Sequence, residues 1–587
     1  MCGIAGVMTV KGAAPAPGVL DLLEGALRHR GPDGVGRYLR DGVGLVHTRL
    51  AIIDLAGGAQ PLLSPGRRAL VANGEIYNYR ELQAAELAGL QFATSSDSEV
   101  ILHLYERYGI DCLHRLRGMF AFALHDPEAE TVLLARDPFG IKPLYYVETP
   151  SCFAFASEAQ ALIAAGLAEA RQERRPTGEL LQLQFTTGPE TIFTGIRRVL
   201  PGEALLVKGG RVVQRTRVAA LPEGGPQPIA ESEAEARLDS VLMDSVQVHQ
   251  RSDVPYGLFL SSGIDSSAIL ACMTRLNDKS VQAYTASFPG TGVADEFPEA
   301  RRIAELFGAR HIKVEVTPRD FFALLPEIVA SVDDPTADYA IIPTYILARE
   351  AVKDVKVILC GEGGDELFAG YSRYRRQIRP WWLGGRVRRR RGPFSSAGIL
   401  YDEPTDWRDG IVAAERASAT RQRSRLQIAQ AADCVDYLAH NLLTKLDRCL
   451  MAHGVEGRTP FLDPRVAEFG FRLPQALQLS GHFGKYLVRR WLADQAPQIK
   501  AFARKKGFTV PVGEWIRGEG QRLGPLVAAD PAVAALCDPA RVKEVFASGD
   551  KRHLEAAWRL LFYALWHRRH IRGRAPDGDV FHCLAQS

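Results

Sequence analysis

Two loops of small residues and carboxylates, each following an apolar run, constrain this chain most. The first is Leu260-Ser261-Ser262-Gly263-Ile264-Asp265-Ser266-Ser267, the second Cys360-Gly361-Glu362-Gly363-Gly364-Asp365-Glu366. Around them, strand-like runs Tyr256–Leu260, Gln282–Phe288, His311–Val316 and Lys356–Cys360 alternate with helical patterns at Ser266–Leu276, Glu299–Phe307, Phe321–Ser331 and Pro343–Lys353. Such alternation predicts a parallel sheet covered on both faces, which takes ligands beyond the carboxyl ends of its strands. In the first loop, small residues let backbone N–H groups approach an anion at a helix N-terminus, and Asp265 can hold Mg²⁺. The three carboxylates of the second loop repel one another unless a metal or cation joins them. The plain alternatives are an N-capping turn for the first loop and a solvated acidic turn for the second. The GxxxxGK[ST] phosphate loop is absent from the sequence.

The first 205 or so residues have a different rhythm. Short strand-like runs at Gly44–Asp54, Ala69–Val71, Thr131–Arg136, Leu144–Val147 and Phe153–Ser157 are broken by helical patterns at Val19–His29 and Ser98–Tyr108. This predicts an α+β domain with much antiparallel sheet. A Pro/Gly-rich stretch at Leu221–Pro228 reads as a linker, and beyond about residue 410 the pattern is mainly helical. A chain of 587 residues exceeds one ordinary core. The expected division is residues 1–210, a linker over 211–230, and residues 231–587.

Cys2 follows the initiator methionine directly. With Met1 removed it carries a free α-amine, a base built in beside its own thiol. Standing alone it would be an inert second residue. It is accompanied by Arg49, by Asn73-Gly74-Glu75, and by Asp97 ahead of a helical pattern. These supply a guanidinium for a carboxylate, an amide and a Gly N–H for an oxyanion, and acids for an ammonium. The set suits an amino acid whose side-chain amide is cleaved.

Five motifs carry a resemblance. Met1-Cys2-Gly3-Ile4, Arg28-His29-Arg30-Gly31-Pro32-Asp33-Gly34, Arg49-Leu50-Ala51-Ile52-Ile53-Asp54, Asn73-Gly74-Glu75-Ile76-Tyr77-Asn78 and the run Arg136–Tyr146 (RDPFGIKPLYY) resemble the class II glutamine amidotransferase domain. The resemblance implies an N-terminal-nucleophile αββα sandwich. In it Cys2 attacks the glutamine amide, Asn73 and Gly74 form the oxyanion hole, and Arg49, Asn73, Gly74, Glu75 and Asp97 bind glutamine.

The two loops join Leu446–Asp463 (LDRCLMAHGVEGRTPFLD) and Arg504–Pro511 (RKKGFTVP). In this order they resemble the synthetase domain of the glutamine-hydrolysing asparagine synthetase family. That domain is a PP-loop, adenine-nucleotide α-hydrolase-like parallel sheet with a helical C-terminal part. The resemblance implies that Leu260, Ser261, Gly263, Asp265, Ser266, Ala286, Cys360 and Gly361 bind ATP, and that Asp265 and Asp365 hold Mg²⁺. Glu362 becomes the general base, and Lys505 (with Lys506 its neighbouring competitor) neutralises phosphate charge. Ser262 stands where the SGGxDS pattern has its first glycine, which raises the question of a positive φ there. The implied reaction makes asparagine from aspartate, ATP and glutamine-derived ammonia passed through an internal tunnel. A rival acceptor is another carboxylate: a cell-envelope sugar, peptidoglycan or osmolyte peptide precursor. The resemblance also implies a homodimer, for which no interface is legible.

Charge and cysteine usage narrow the rest. Lys+Arg is 72 against 68 Asp+Glu, a near-balance that argues against a nucleic-acid partner. No run of about 18 apolar residues predicts a membrane span. Nine scattered cysteines form no CxxC pair, and no secretory signal is visible, so a reducing, cytoplasmic setting is expected. The dense basic run Arg386–Arg391 reads as a solvated loop.

Overall fold

Strands apolar on both faces dictate the layering of the first 217 residues. The computed structural model describes residues 2–10, 12–383, 385, 391–395, 398–503 and 509–586. Its early strands are β1 (Gly3–Thr9), β2 (Gly34–Arg40), β3 (Val43–Arg49), β4 (Leu62–Leu63), β5 (Ala69–Ile76) and β6 (Gly118–Asp126). They continue with β7 (Thr131–Arg136), β8 (Tyr145–Glu148), β9 (Cys152–Ala156), β10 (Arg197–Arg198), β11 (Glu203–Lys208) and β12 (Arg211–Arg217). Two antiparallel sheets result, ordered β10-β8-β9-β1-β3-β2 and β12-β11-β7-β6-β5-β4.

Along β6, Ala121 and Ala123 join Ile4, Leu45, Val71, Leu134 and Phe155 in the core between the sheets. Phe120, Phe122 and Leu124 alternate with them and belong with Val100, Ile101 and Leu104 of the helix Glu99–Tyr108. On β1, Ala5 and Val7 join Leu23 and Leu27 of the helix Val19–Leu27. Successive side chains on a strand point to opposite faces. Both sheets are therefore apolar on both faces, and the layers run helix, sheet, sheet, helix: the expected αββα sandwich.

Two local expectations change. The run Gly44–Asp54 stops being a strand at Arg49, because Leu50 and Ile52 are drawn into the core of the second half with Leu238 and Leu258. Residues 211–217 of the expected linker form β12, an edge strand paired with β11. Its side chains are exposed or half-exposed throughout, which hides it from a composition reading.

The second half centres on a five-stranded parallel sheet, ordered β15-β14-β13-β16-β17. These strands are β13 (Tyr256–Phe259), β14 (Gln282–Ser287), β15 (Arg310–Glu315), β16 (Val357–Leu359) and β17 (Glu456–Arg458). Leu258 and Ala283 face helices Glu231–His249 and Ile264–Leu276. Tyr284, Ala286 and Ile358 belong to the other core, with helices Pro318–Ala330 and Ile341–Ala351. The C-terminal stretch, silent as sequence, supplies the helix Lys551–His570. Its Trp558 and Trp566 are fully buried, and their indole N–H groups donate to the carbonyls of Ala337 and Val332 at 2.7 and 3.1 Å.

The halves meet through buried charge. Arg30 makes a bidentate contact to Asp447 at 2.8 and 3.0 Å and reaches Glu158 at 2.8 Å. Arg448 continues the network to Asp447 at 3.0 Å and to Asp333 at 2.7 Å. Each of these charges has an opposite partner, the condition under which buried ions persist.

Candidate functional site

The first site forms where β1, β3 and β5 end together. β1 places Cys2 at its start, buried, with its N–H donating to Asn73 Oδ1 at 3.0 Å. Arg30 Nε donates to the Cys2 carbonyl at 3.2 Å, which fixes the Cys2 backbone from the other side. Burial pushes the Cys2 thiol up, so it rests as a thiol and needs a base. The Asn73 amide nitrogen is buried with no hydrogen-bond partner among the described residues. An orphaned donor beside a nucleophile is the geometry of an oxyanion hole. Gly74 beside it has φ +150°, and a Cβ there would lie 2.0 Å from the Met119 carbonyl oxygen. No other residue fits this close approach of β5 to β6.

The candidate glutamine-binding side chains are arranged around this point. Arg49 donates to the carbonyls of Ile53, Asp54 and Leu55 at 3.3, 2.5 and 3.1 Å, so it shapes the loop that follows β3. Asp54 in turn accepts from the N–H of Ser95 at 2.9 Å, tying that loop to the segment bearing Asp97. Asp97 accepts from the Ile76 N–H at 2.6 Å, and burial pushes it up to about 6. Glu75 is also buried and held well above the usual carboxylate range by burial, with Asp97 and Glu456 adding to the rise. Arg458 opposes the rise at Glu75, while Asp97, with no ion-pair partner among the described residues, suits a substrate ammonium.

The second site sits at the carboxyl ends of β13 and β16. Leu260, Ala286 and Cys360 are buried at strand ends. Ser266 Oγ accepts from the Ser261 N–H at 3.1 Å, and Ser261 Oγ accepts from the Gly263 N–H at 3.1 Å. These bonds curl the loop ahead of the helix Ile264–Leu276. Ser262 takes no positive φ, so the loop does not require glycine at that place. Gly361 and Gly364 press against Asp265: a Cβ on Gly364 would lie 2.5 Å from Asp265 Oδ1. The glycine-rich spelling of the second loop thus follows from the approach of a carboxylate to its backbone.

Lys485 is the residue the sequence reading missed. Its ammonium contacts Asp265 Oδ2 and lies 2.8 Å from Asp365 Oδ1, with the side chain almost wholly buried. Burial works against its charge, but Asp265 and Asp365 outweigh that and raise its pKa. It has φ +56°, held by its N–H donating to the Phe368 carbonyl at 2.9 Å. Gly484-Lys485-Tyr486 carries no spacing signal; only burial between two acids marks this lysine. Lys505 lies outside the described residues. Glu362 is pushed up by burial, with Lys445 opposing. Lys445 itself is buried, 3.5 Å from Asp338.

Asp265 and Asp365 are carboxylates of the kind that hold Mg²⁺, and in this structure they converge on the Lys485 ammonium. Among the described residues no group of three or more His, Cys, Asp or Glu forms a metal cage. Mg²⁺ commonly takes one or two carboxylates and completes its shell with water and substrate phosphates.

β17 joins the two sites. Its backbone pairs with β16 from Val357↔Glu456 to Leu359↔Arg458. The Cys360 N–H, at the head of the second loop, donates to the Arg458 carbonyl at 2.8 Å. The Arg458 side chain reaches back to Glu75 Oε1 at 3.2 Å.

Residues 237–568 match the asparagine synthase family, and residues 1–217 match a glutamine amidotransferase domain. The chain belongs to the asparagine synthase family. A Mycobacterium tuberculosis (strain H37Rv) relative is 34% identical, covering 97% of this chain and 97% of its own length. The Bacillus subtilis (strain 168) protein named asparagine synthetase [glutamine-hydrolyzing] 1 is 30% identical over 99% of each chain. Escherichia coli (strain K12) asparagine synthetase B is 29% identical over 88% of this chain and 83% of its own. Both domains of these synthetases therefore have counterparts here, in the same order.

Proposed function

We propose that the chain makes asparagine from aspartate, ATP and the amide nitrogen of glutamine. The observation that carries this reading is the pairing of two half-sites, Cys2 with Asn73 and Gly74, and Asp265 with Asp365 and Lys485, through one strand, β17. With Met1 removed, the α-amine of Cys2 takes the thiol proton as sulfur attacks the glutamine amide carbon. Asn73 Nδ2 and the Gly74 N–H stabilise the tetrahedral oxyanion. As it collapses, the Cys2 α-ammonium returns the proton to the amide nitrogen, the C–N bond breaks, ammonia leaves and a thioester remains, which water hydrolyses to glutamate and the free thiol.

At the second site the aspartate side-chain carboxylate attacks the ATP α-phosphorus, expelling pyrophosphate and forming an acyl-adenylate. Ser261, Gly263 and Ser266 hold phosphate oxygens at the helix N-terminus. Lys485 neutralises charge that builds between the phosphates, and the reading gives Lys505 the same duty. Asp265 and Asp365 would hold Mg²⁺, which supplies electrostatic stabilisation to the phosphates. Ammonia reaches the adenylate inside the protein, where it stays unprotonated. Glu362 takes the proton as nitrogen adds to the acyl carbon, and AMP leaves. Residues up to 217 carry the glutaminase step and residues from 231 the synthetase step. All nine cysteines are unpaired thiols, which supports a reducing, cytoplasmic setting. A homodimer belongs to the same reading.

The test is pyrophosphate release with glutamine, Mg²⁺–ATP and each candidate acceptor, with products identified by mass spectrometry. Aspartate-dependent pyrophosphate with an equal amount of asparagine is expected. Glutamate release without aspartate-dependent pyrophosphate would move the acceptor to an envelope or peptide carboxylate.

A further inference from the structure

We propose that Arg458, a residue of the synthetase half, is a positioning residue for glutamine: it holds Glu75 from across the domain boundary. The inference rests on the assignment of Glu75 and Asp97 to the glutamine pocket. Arg458 is fully buried, and its donors are spread over four partners. Nε donates to Glu456 Oε1 at 2.6 Å and Nη1 to the carbonyls of His249 and Arg251 at 2.8 and 2.7 Å, whereas Nη2 forms an ion pair with Glu75 Oε1 at 3.2 Å without hydrogen-bond geometry. The first three contacts lie within the synthetase half and fix the guanidinium plane. Only the fourth crosses to the amidotransferase half.

The charge count around this pocket shows why the contact matters. Glu75, Asp97 and Glu456 are three buried acids, and Arg458 is the cation paired with two of them. Arg458 engages Glu75 and Glu456 and leaves Asp97 to be met by the substrate ammonium. The Arg458 guanidinium also lies 5.9 Å from the Tyr77 ring, two residues beyond Glu75. The amidotransferase half alone would lack this cation, and Glu75 would lose its orientation. Because the Cys360 N–H binds the Arg458 carbonyl, the same residue whose side chain orders the glutamine pocket has its backbone tied to the nucleotide loop.

The experiment uses the full chain and two readouts: glutamate release from glutamine, without ATP or aspartate, and pyrophosphate release driven by ammonium chloride. Arg458→Met is expected to raise the glutamine KM so that glutamine kcat/KM falls about tenfold relative to the ammonia-driven rate, the scale of one lost close charge pair. Arg458→Lys should recover part of that loss. Glu75→Gln combined with Arg458→Met should be no worse than Glu75→Gln alone, because both act on one contact. An unchanged glutamine KM in Arg458→Met, an equal fall in both readouts, or additive losses in the double variant would overturn the proposal. Should Arg458→Met fail to fold, Arg458→Lys with Glu75→Gln gives the same cycle: coupled KM effects support the proposal, and independent ones overturn it. Glutamate release is independent of the acceptor, so these outcomes are separate from any failure to find asparagine.

Discussion

The Lys485 ammonium lies 2.8 Å from Asp365 Oδ1 and touches Asp265 as well, so one buried lysine joins the two acid-bearing loops of the synthetase half. Its left-handed backbone and its Phe368 hydrogen bond fix where that charge sits. A preorganised cation of this kind stabilises negative charge at little reorganisation cost. Lys485→Met is expected to lower pyrophosphate release by about 100-fold or more with either nitrogen source. Glutamate release should persist, since Cys2 belongs to the other half. Full pyrophosphate release in this variant would remove Lys485 from the phosphate chemistry.

Cys2→Ala tests the division of labour. The Cys2 N–H bond to Asn73 and the Arg30 bond to its carbonyl are backbone contacts that alanine keeps. The variant should fold, release no glutamate from glutamine, and still form asparagine from ammonium chloride. Glutamine-dependent product in Cys2→Ala would show that another group is the nucleophile.

Asp97 gives a pH signature. Burial raises it to about 6, with Glu456 adding and the Ile76 N–H and Arg458 opposing. Below about pH 6 it is protonated and cannot pair with the substrate ammonium, so glutamine kcat/KM should fall on the acid side. The stability effect has the opposite direction. A carboxyl whose folded pKa lies above its unfolded one contributes stability at low pH and loses it as pH rises through about 6. Asp97→Asn should therefore be more stable than the parent at pH 8, by at most ~3 kcal/mol for two pKa units, with the gap closing by pH 4. It should also bind glutamine poorly at every pH. Thermal unfolding at the two pH values and the glutamine pH–rate profile check both signs.

Elements whose chemistry is local were legible in the sequence. Cys2, Asn73-Gly74 and the two loops could be singled out because the proposed nucleophile, oxyanion donor and phosphate cradle each draw on neighbours in the chain. Four of the five parallel strands were legible through their apolar runs; β17 was not, because its three residues, Glu456-Gly457-Arg458, carry two charged side chains. Lys485 and Arg458 were not. Their partners lie 220 and 383 positions away, at Asp265 and Glu75, and no periodicity encodes such a meeting. Strand β12 was hidden because an edge strand with no fully buried side chain looks polar.

The Arg30–Asp447 contact leads to the last prediction. Asp447 lies between two fully buried cations, Arg30 and Arg448, and is held below the usual carboxylate range: burial opposes its charge, and Arg30 and Arg448 outweigh it. Removing this carboxylate leaves Arg30 with Glu158 and Arg448 with Asp333 as counter-ions but takes away the acid between the two cations, a loss on the order of 3 kcal/mol, the low end for a broken buried pair. Asp447→Ala should lower the unfolding midpoint accordingly. Because Arg30 also holds the Cys2 carbonyl, glutamate release should fall as well. Asp447→Asn keeps an oxygen acceptor for one Arg30 N–H and should recover part of both losses. If Asp447→Ala kept both its unfolding midpoint and its glutaminase rate, the buried network would not be what seats Cys2, and the Asn73 bond alone would have to position it.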